Sequence, residues 1–203
     1  MNKKWFAVIP PYFAVWVGIF LFHSAWGALV GFHLTILASL VWLKPKPEIG
    51  ALFRASKWRY ILGNVLLCTL GGFALYVLRD WLGSGQVLRE QVHQLGLDGA
   101  VWFGFIAYFV LINPIVEEYF WRGVLGSETR LPFWGDVIFA GYHIMIVWNK
   151  IYPPAILLVV AALIFAGWMW RQMYRKEKSL LAPVLGHAAA DFSILMTVYW
   201  LTR

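Results

Sequence analysis

The chain has 203 residues, of which 61% are hydrophobic and only 13% charged, a balance that a soluble design with a charged surface around one core cannot keep in solution. The formal net charge of +7 would suggest nucleic acid in a soluble domain. Here the basic residues stand in short stretches between long apolar runs, as in membrane proteins that set their orientation by charge, so lipid and not nucleic acid is the expected partner. The single cysteine, Cys68, lies in an apolar run with nothing to pair with and reads as a small buried hydrophobe.

Crossing about 30 Å of hydrocarbon takes roughly 20 helical residues. Cutting the apolar runs at charges, glycines and prolines predicts an all-α, polytopic transmembrane helix bundle of about seven spans, at residues 5–22, 25–43, 60–79, 101–121, 134–149, 154–171 and 182–201. The start, Met1, Asn2, Lys3 and Lys4, has the look of a signal peptide, but no small-residue cleavage site follows and a retained first helix is expected. The apolar stretch then runs to Leu43, too far for one crossing, which puts a turn at His23 and Ser24. No repeat or low-complexity tract is present.

With the N-terminus inside and the C-terminus outside, the inner connections hold all but four of the 17 basic residues. Those four are Arg79, Arg89, Lys150 and Arg203, and the asymmetry supports N-in, C-out. Trp5, Trp26, Trp42, Trp58, Trp81, Trp102, Trp134, Trp148, Trp170 and Trp200 fall near predicted span ends, where an amphipathic ring sits at headgroup level, whereas Trp16 does not fit. Leu88, Val92 and Leu95 recur at helical spacing amid Arg89, Glu90 and Gln94, predicting an interfacial outer helix or a solvated linker. On the inner side Ile49, Leu52, Phe53 and Trp58 with Arg54 and Lys57 suggest another.

The fourth span carries Glu117, Glu118 and Arg122 in the run NPIVEEYFWRGVL. A charge at the bilayer centre costs at least about 2.5–3.5 kcal/mol on insertion scales, so three together need partners or a wet cavity. Glu118 and Arg122 are four apart and can pair on one helix face, whereas Glu117 is turned about 100° away and is free to face another helix. The alternative is that Pro114 ends the span and the charges are solvated beyond it. The next span carries Phe139 and His143 in FAGYH, and the last carries His187 and Asp191 in HAAAD, again four apart on one face. At about 1.5 Å per residue, Glu117, His143 and His187 come to similar depths near the inner side.

Other polar residues rank lower. His23 is expected in a turn, His33 in a helix interface and His93 in the outer loop, while Asn64 and Asn113 suit hydrogen bonds between helices. Ser193 lacks a nucleophile-type turn, and neither HExxH nor a CxxC pair occurs.

The three pieces EExxxR, FxxxH and HxxxD, in this order and each in a different apolar span, resemble the CPBP family of intramembrane proteases, the CAAX proteases and bacteriocin-processing (Abi-type) enzymes. The resemblance covers about residues 101–201, so residues 1–100 are expected to be N-terminal transmembrane helices without family signal and residues 101–203 the catalytic helical core. It implies a glutamic-type endopeptidase that hydrolyses a peptide bond within the membrane. Glu117 would be the general base, His143 would hold or polarise the water, and His187 with Asp191 would steady the tetrahedral intermediate. Glu118 and Arg122 would hold the helix and tune Glu117, with Phe139 completing the motif.

Two departures stand out. Many relatives have Asn where this chain has Asp191, and an ionised Asp cannot donate to an oxyanion; Trp121 stands where relatives usually carry Phe. Two histidines and a carboxylate, His143, His187 and Glu117, could bind zinc with an open water position. The resemblance nevertheless implies water activation by glutamate with no metal or other cofactor. The implied substrate is a membrane-anchored or lipid-modified peptide or protein, cut near the cytoplasmic face of a bacterial or archaeal membrane. Two other classes stay open: a non-catalytic immunity or scaffold protein binding a peptide in the same cavity, and a proton-coupled transporter, against which the absence of a repeat counts.

Overall fold

The structure is a computed structural model that describes residues 3–44, 49–83 and 86–203; of the inner basic residues, Lys46 lies outside them. Among the described residues all regular structure is helical. A 3-10 turn, Lys3–Val8, leads into α1 (Ile9–Trp16), which runs on through a π-helical turn, Val17–Leu21. Next come α2 (Ala25–Leu43), a 3-10 turn at Ile49–Leu52, α3 (Trp58–Leu82) and α4 (Gln86–Gln94). Then follow α5 (Val101–Glu118) with a π-helical continuation at Tyr119–Val124, α6 (Trp134–Gly141), α7 (His143–Val147), α8 (Pro153–Glu177) and α9 (Leu181–Thr202).

Six of these segments are long and apolar enough to cross a membrane: Lys4–Leu21, Ala25–Leu43, Trp58–Leu82, Val101–Val124, Pro153–Glu177 and Leu181–Thr202. The chain is an integral, multi-pass membrane protein. The segment expected as a seventh helix at 134–149 is shorter and ends at Val147. At about 1.5 Å per residue it rises roughly 20 Å, less than a bilayer core. Its helical run is broken at Tyr142, and Asn149 takes a left-handed conformation at φ 61°. The passage is finished by non-helical chain up to Tyr152, whose N–H donates to Leu82 O at 2.9 Å while the Gln91 amide donates to Asn149 O at 2.7 Å.

The connections sort into two sets, as alternating crossings require. Arg54 donates to Lys178 O, Leu180 N–H donates to Ala51 O, and Lys57 pairs with Glu177 at one end; at the other, Ala25 N–H donates to Leu95 O. Pro114 does not end the span. Proline lacks the N–H that would close one rung and costs a helix interior about 3 kcal/mol, yet α5 continues through it because the flanking helices hold it.

Close approach between helices depends on small residues, since lipid offers no hydrophobic drive to pack them. A Cβ at Gly186 of α9 would sit 1.9 Å from the Asn64 amide of α3, and one at Gly72 of α3 would sit 2.3 Å from Ser193 O. Gly72 N–H donates to Ser193 Oγ, and Thr197 Oγ donates to Gly72 O, so Ser193 joins two helices.

Several residues placed by the sequence sit elsewhere. Arg171, expected at the end of a span, lies inside α8, where its guanidinium grips Asp136 at 2.9 and 2.7 Å and donates to the Ser127, Thr129 and Leu131 carbonyls. Arg122 is likewise buried, so neither counts as a loop charge, and eleven of the thirteen inner basic residues carry the asymmetry. Trp102 and Trp170 are buried in the protein and not in a headgroup belt, whereas Trp42, Trp58, Trp81 and Trp200 are exposed. On α4 the apolar face, Leu88 and Val92, packs on Ala25, Leu29 and Trp102 of the bundle. The inner segment forms only the short turn that buries Ala51 and Leu52 against Tyr119 and Leu180.

Candidate active site

Three helices bring the unexpected polar residues together. Glu117 and Glu118 end the regular part of α5 and are 1% and 0% exposed. Beyond them the backbone widens into the π-helical turn that carries Arg122; such turns are costly and gather at functional sites. Arg122 Nη1 lies 3.1 Å from Glu118 Oε1, the pair expected from the four-residue spacing. The guanidinium carbon stands 3.8 Å over the Phe139 ring and 5.1 Å from the Trp170 ring. Apart from Glu118, its Nη groups find no hydrogen-bond partner among the described residues, so ring faces supply the rest of its electrostatic compensation. A Cβ at Gly167 would lie 3.1 Å from Arg122 and 3.0 Å from Phe139, which explains a glycine in the facing turn of α8.

The same Glu118 oxygen meets His187 Nδ1 at 2.8 Å. A carboxylate oxygen accepts, so Nδ1 carries the proton. His187 Nε2 stands 3.6 Å from Asp191 Oδ1, within reach of charge but too long for a hydrogen bond. The imidazole stacks on Trp170 at 4.6 Å between centroids and 21° between planes. Trp170 is itself fixed, its Nε1–H donating to Asn64 Oδ1 at 3.0 Å while Asn64 donates to Ala182 O at 2.6 Å. Glu118, Arg122, Phe139, His187 and Asp191 thus form one contiguous cluster.

Glu117 faces another helix, as its angular offset from Glu118 suggested, and its partner there is Tyr142. The phenol donates to Glu117 Oε1 at 2.7 Å. Glu117 Oε2 has no protein partner among the described residues. His143 makes no such direct contact. Its Nδ1 is 3.3 Å from its own Phe139 carbonyl, and its ring stacks on Tyr142 with centroids 4.0 Å apart. The carbonyl can only accept, which puts the proton on Nδ1 and leaves Nε2 of the neutral ring as an acceptor. Glu117 and His143 are joined through Tyr142.

Three further residues escaped the sequence reading. Tyr142 stands inside the FAGYH motif, but a tyrosine in an apolar helix carries no signal by itself. Trp170 was assigned to a headgroup belt. His33 was placed in a helix interface, where it does lie, but it also reaches the site: its Nε2 is 3.0 Å from Asn113 Oδ1, and Asn113 Nδ2 donates to Asp191 Oδ2 at 3.2 Å.

A zinc site built on His143, His187 and Glu117 does not fit this arrangement. Among the described residues no three His, Cys, Asp or Glu side chains gather as metal ligands, and His187 Nδ1 is engaged by Glu118 while its Nε2 faces Asp191.

Residues 99–193 match the family model described as type II CAAX prenyl endopeptidase Rce1-like. This segment belongs to the CAAX protease family. The matched region holds Glu117, Glu118, Arg122, Phe139, His143, His187 and Asp191, and it leaves α1, α2, α3 and α4 outside. The match speaks for a CAAX-type intramembrane endopeptidase as the general class of this segment. No curated protein and no solved structure matches it.

Proposed function

We propose that this chain is a glutamate-type endopeptidase that cleaves a membrane-anchored or lipid-modified peptide, a prenylated C-terminus being the substrate that the family description suggests, with residues 101–203 as its catalytic core. The observation that carries the reading is the state of Glu117: one carboxylate oxygen is fixed by the Tyr142 hydroxyl and the other is buried with no partner among the described residues. A buried acceptor left unmatched is costly, and a water or a substrate group is its natural complement.

On this reading a water between Glu117 Oε2 and His143 Nε2 gives its proton to Glu117 as its oxygen attacks the scissile carbonyl. The C–N bond then breaks as Glu117 returns the proton to the leaving amine. The His187 Nε2–H is held by the charge of Asp191 across 3.6 Å without a hydrogen bond, so it is available to an oxyanion. Glu118 and Arg122 hold the far side of His187, and Asp191 faces its Nε2 without having to donate.

The test compares wild type with Glu117→Gln, whose carbonyl still accepts from Tyr142, on a farnesylated, fluorescence-quenched CAAX peptide in proteoliposomes. In parallel, membrane proteomics looks for an uncut precursor. Wild-type cleavage by Glu117→Gln sinks the proposal.

A further inference from the structure

His33 is 3% exposed on α2, in the part of the chain that the family match does not reach. A histidine among Phe32, Leu34 and Ile36 is expensive to insert in lipid and needs partners. Both ring nitrogens have one: Nδ1 lies 3.1 Å from the Tyr108 hydroxyl and Nε2 lies 3.0 Å from Asn113 Oδ1. Asn113, 1% exposed, turns its other end, Nδ2, to Asp191 Oδ2 at 3.2 Å.

With Asp191 ionised, as its attraction for His187 requires, one direction of hydrogen bonding satisfies all four residues. Both oxygens of the Asp191 carboxylate accept, so the Asn113 amide nitrogen must face Oδ2. Asn113 Oδ1 then faces His33 and needs a donor, which fixes the proton on Nε2. The neutral ring is left with a bare Nδ1, and the Tyr108 hydroxyl donates to it. Flipping Asn113 would set its oxygen against the carboxylate, a buried bond that no change of the His33 tautomer restores. The chain of donors runs Tyr108, His33, Asn113, Asp191 and ends on the residue that faces His187 Nε2 at 3.6 Å.

We infer that His33 is a positioning residue for the reaction, locking Asn113 in the orientation that donates to Asp191 and so fixing the carboxylate that faces His187. The inference rests on the functional reading above. It also accounts for the departure at position 191: an amide there can choose which of its ends faces Asn113, whereas a carboxylate offers only acceptors and needs a donor held in place.

The experiment measures kcat and KM on the farnesylated quenched peptide for His33→Leu, which removes the donor, and His33→Gln, whose amide can supply an N–H near the position of Nε2–H. His33→Leu is expected to lower kcat about tenfold at unchanged KM, the scale of one hydrogen bond to a charged acceptor, and His33→Gln to stay within about twofold of wild type. In an Asp191→Asn background the His33→Leu loss should shrink to about twofold. Equal losses in both backgrounds, or a Gln variant as slow as the Leu variant, mean that His33 merely packs α2 on α5 and overturn the inference. Full activity of Glu117→Gln in the same assay removes the functional reading itself, whereas an inactive Glu117→Gln with a wild-type His33→Leu removes the positioning role alone. Independently of activity, nitrogen-15 spectra of histidine-labelled protein should show His33 as the Nε2–H tautomer; the Nδ1–H tautomer contradicts the donor chain.

Discussion

Replacing Arg122 by Met tests whether the cluster is held by charge. The guanidinium pairs with Glu118 at 3.1 Å in a site where both side chains are at most 2% exposed, and it caps the Phe139 ring at 3.8 Å. Removing one partner of a buried pair costs about 3–5 kcal/mol. The lost cation–π contact adds about 0.5–2 kcal/mol, which the apolar Met offsets in part, so a net loss near 3–5 kcal/mol is expected. At about 2–4 °C per kcal/mol for a chain of this size, the melting point should fall by roughly 6–20 °C. The 13 tryptophans, among them Trp170 beside the arginine, allow the transition to be followed by intrinsic fluorescence in detergent. Adding Glu118→Gln to Arg122→Met removes both charges, while the amide oxygen can still accept from His187 Nδ1. The double variant should regain more than half of the lost melting temperature, since deleting a buried pair costs far less than orphaning one member. A single variant melting within about 2 °C of wild type, or a double variant no better than the single, would refute this account.

Glu117→Gln should lose about 10²–10⁴ in kcat, the usual worth of a general base, while melting close to wild type, because the contact with Tyr142 survives. Tyr142→Phe leaves Glu117 Oε1 without its donor and should cost about tenfold in kcat, the scale of one charge-assisted hydrogen bond; an unchanged rate would show that the carboxylate is positioned by other means. Gly186→Ala drives a Cβ into Asn64, the residue that fixes Trp170, and is expected to abolish folded protein on size-exclusion chromatography. Lys150, in the connection between α7 and α8, has its pKa lowered from the usual 10.5 by burial. Between that lowered value and 10.5 the unfolded chain binds more protons than the folded one, so this residue makes stability rise as pH climbs through that window. Lys150→Met should raise the melting point at pH 7 and flatten its rise between pH 7 and 9.5; a steeper rise in the variant contradicts the assignment.

The order of residues along the chain decides the solvent and the order of the elements. Long apolar runs in lipid must close their backbone hydrogen bonds internally, so composition and spacing already specify helices and their approximate ends. It also determined which polar residues matter, because three carboxylates, two histidines and an arginine at membrane depth are too costly to be incidental. The pairing of Glu118 with Arg122 followed from local geometry, four residues being one helical turn.

Contacts between helices were a different matter. Nothing in the spacing says that Tyr142 rather than His143 touches Glu117, that Trp170 lies under His187 and not in a headgroup belt, or that Arg171 is buried on Asp136. Each depends on rotations and separations of whole helices, set by glycines such as Gly72, Gly186 and Gly167 that mark only where a Cβ has no room. His33 is the clearest case. Alone on α2 it is a polar residue in an apolar helix, and only the packing of α2 beside α5, which puts its Nε2 3.0 Å from Asn113, makes it part of the site.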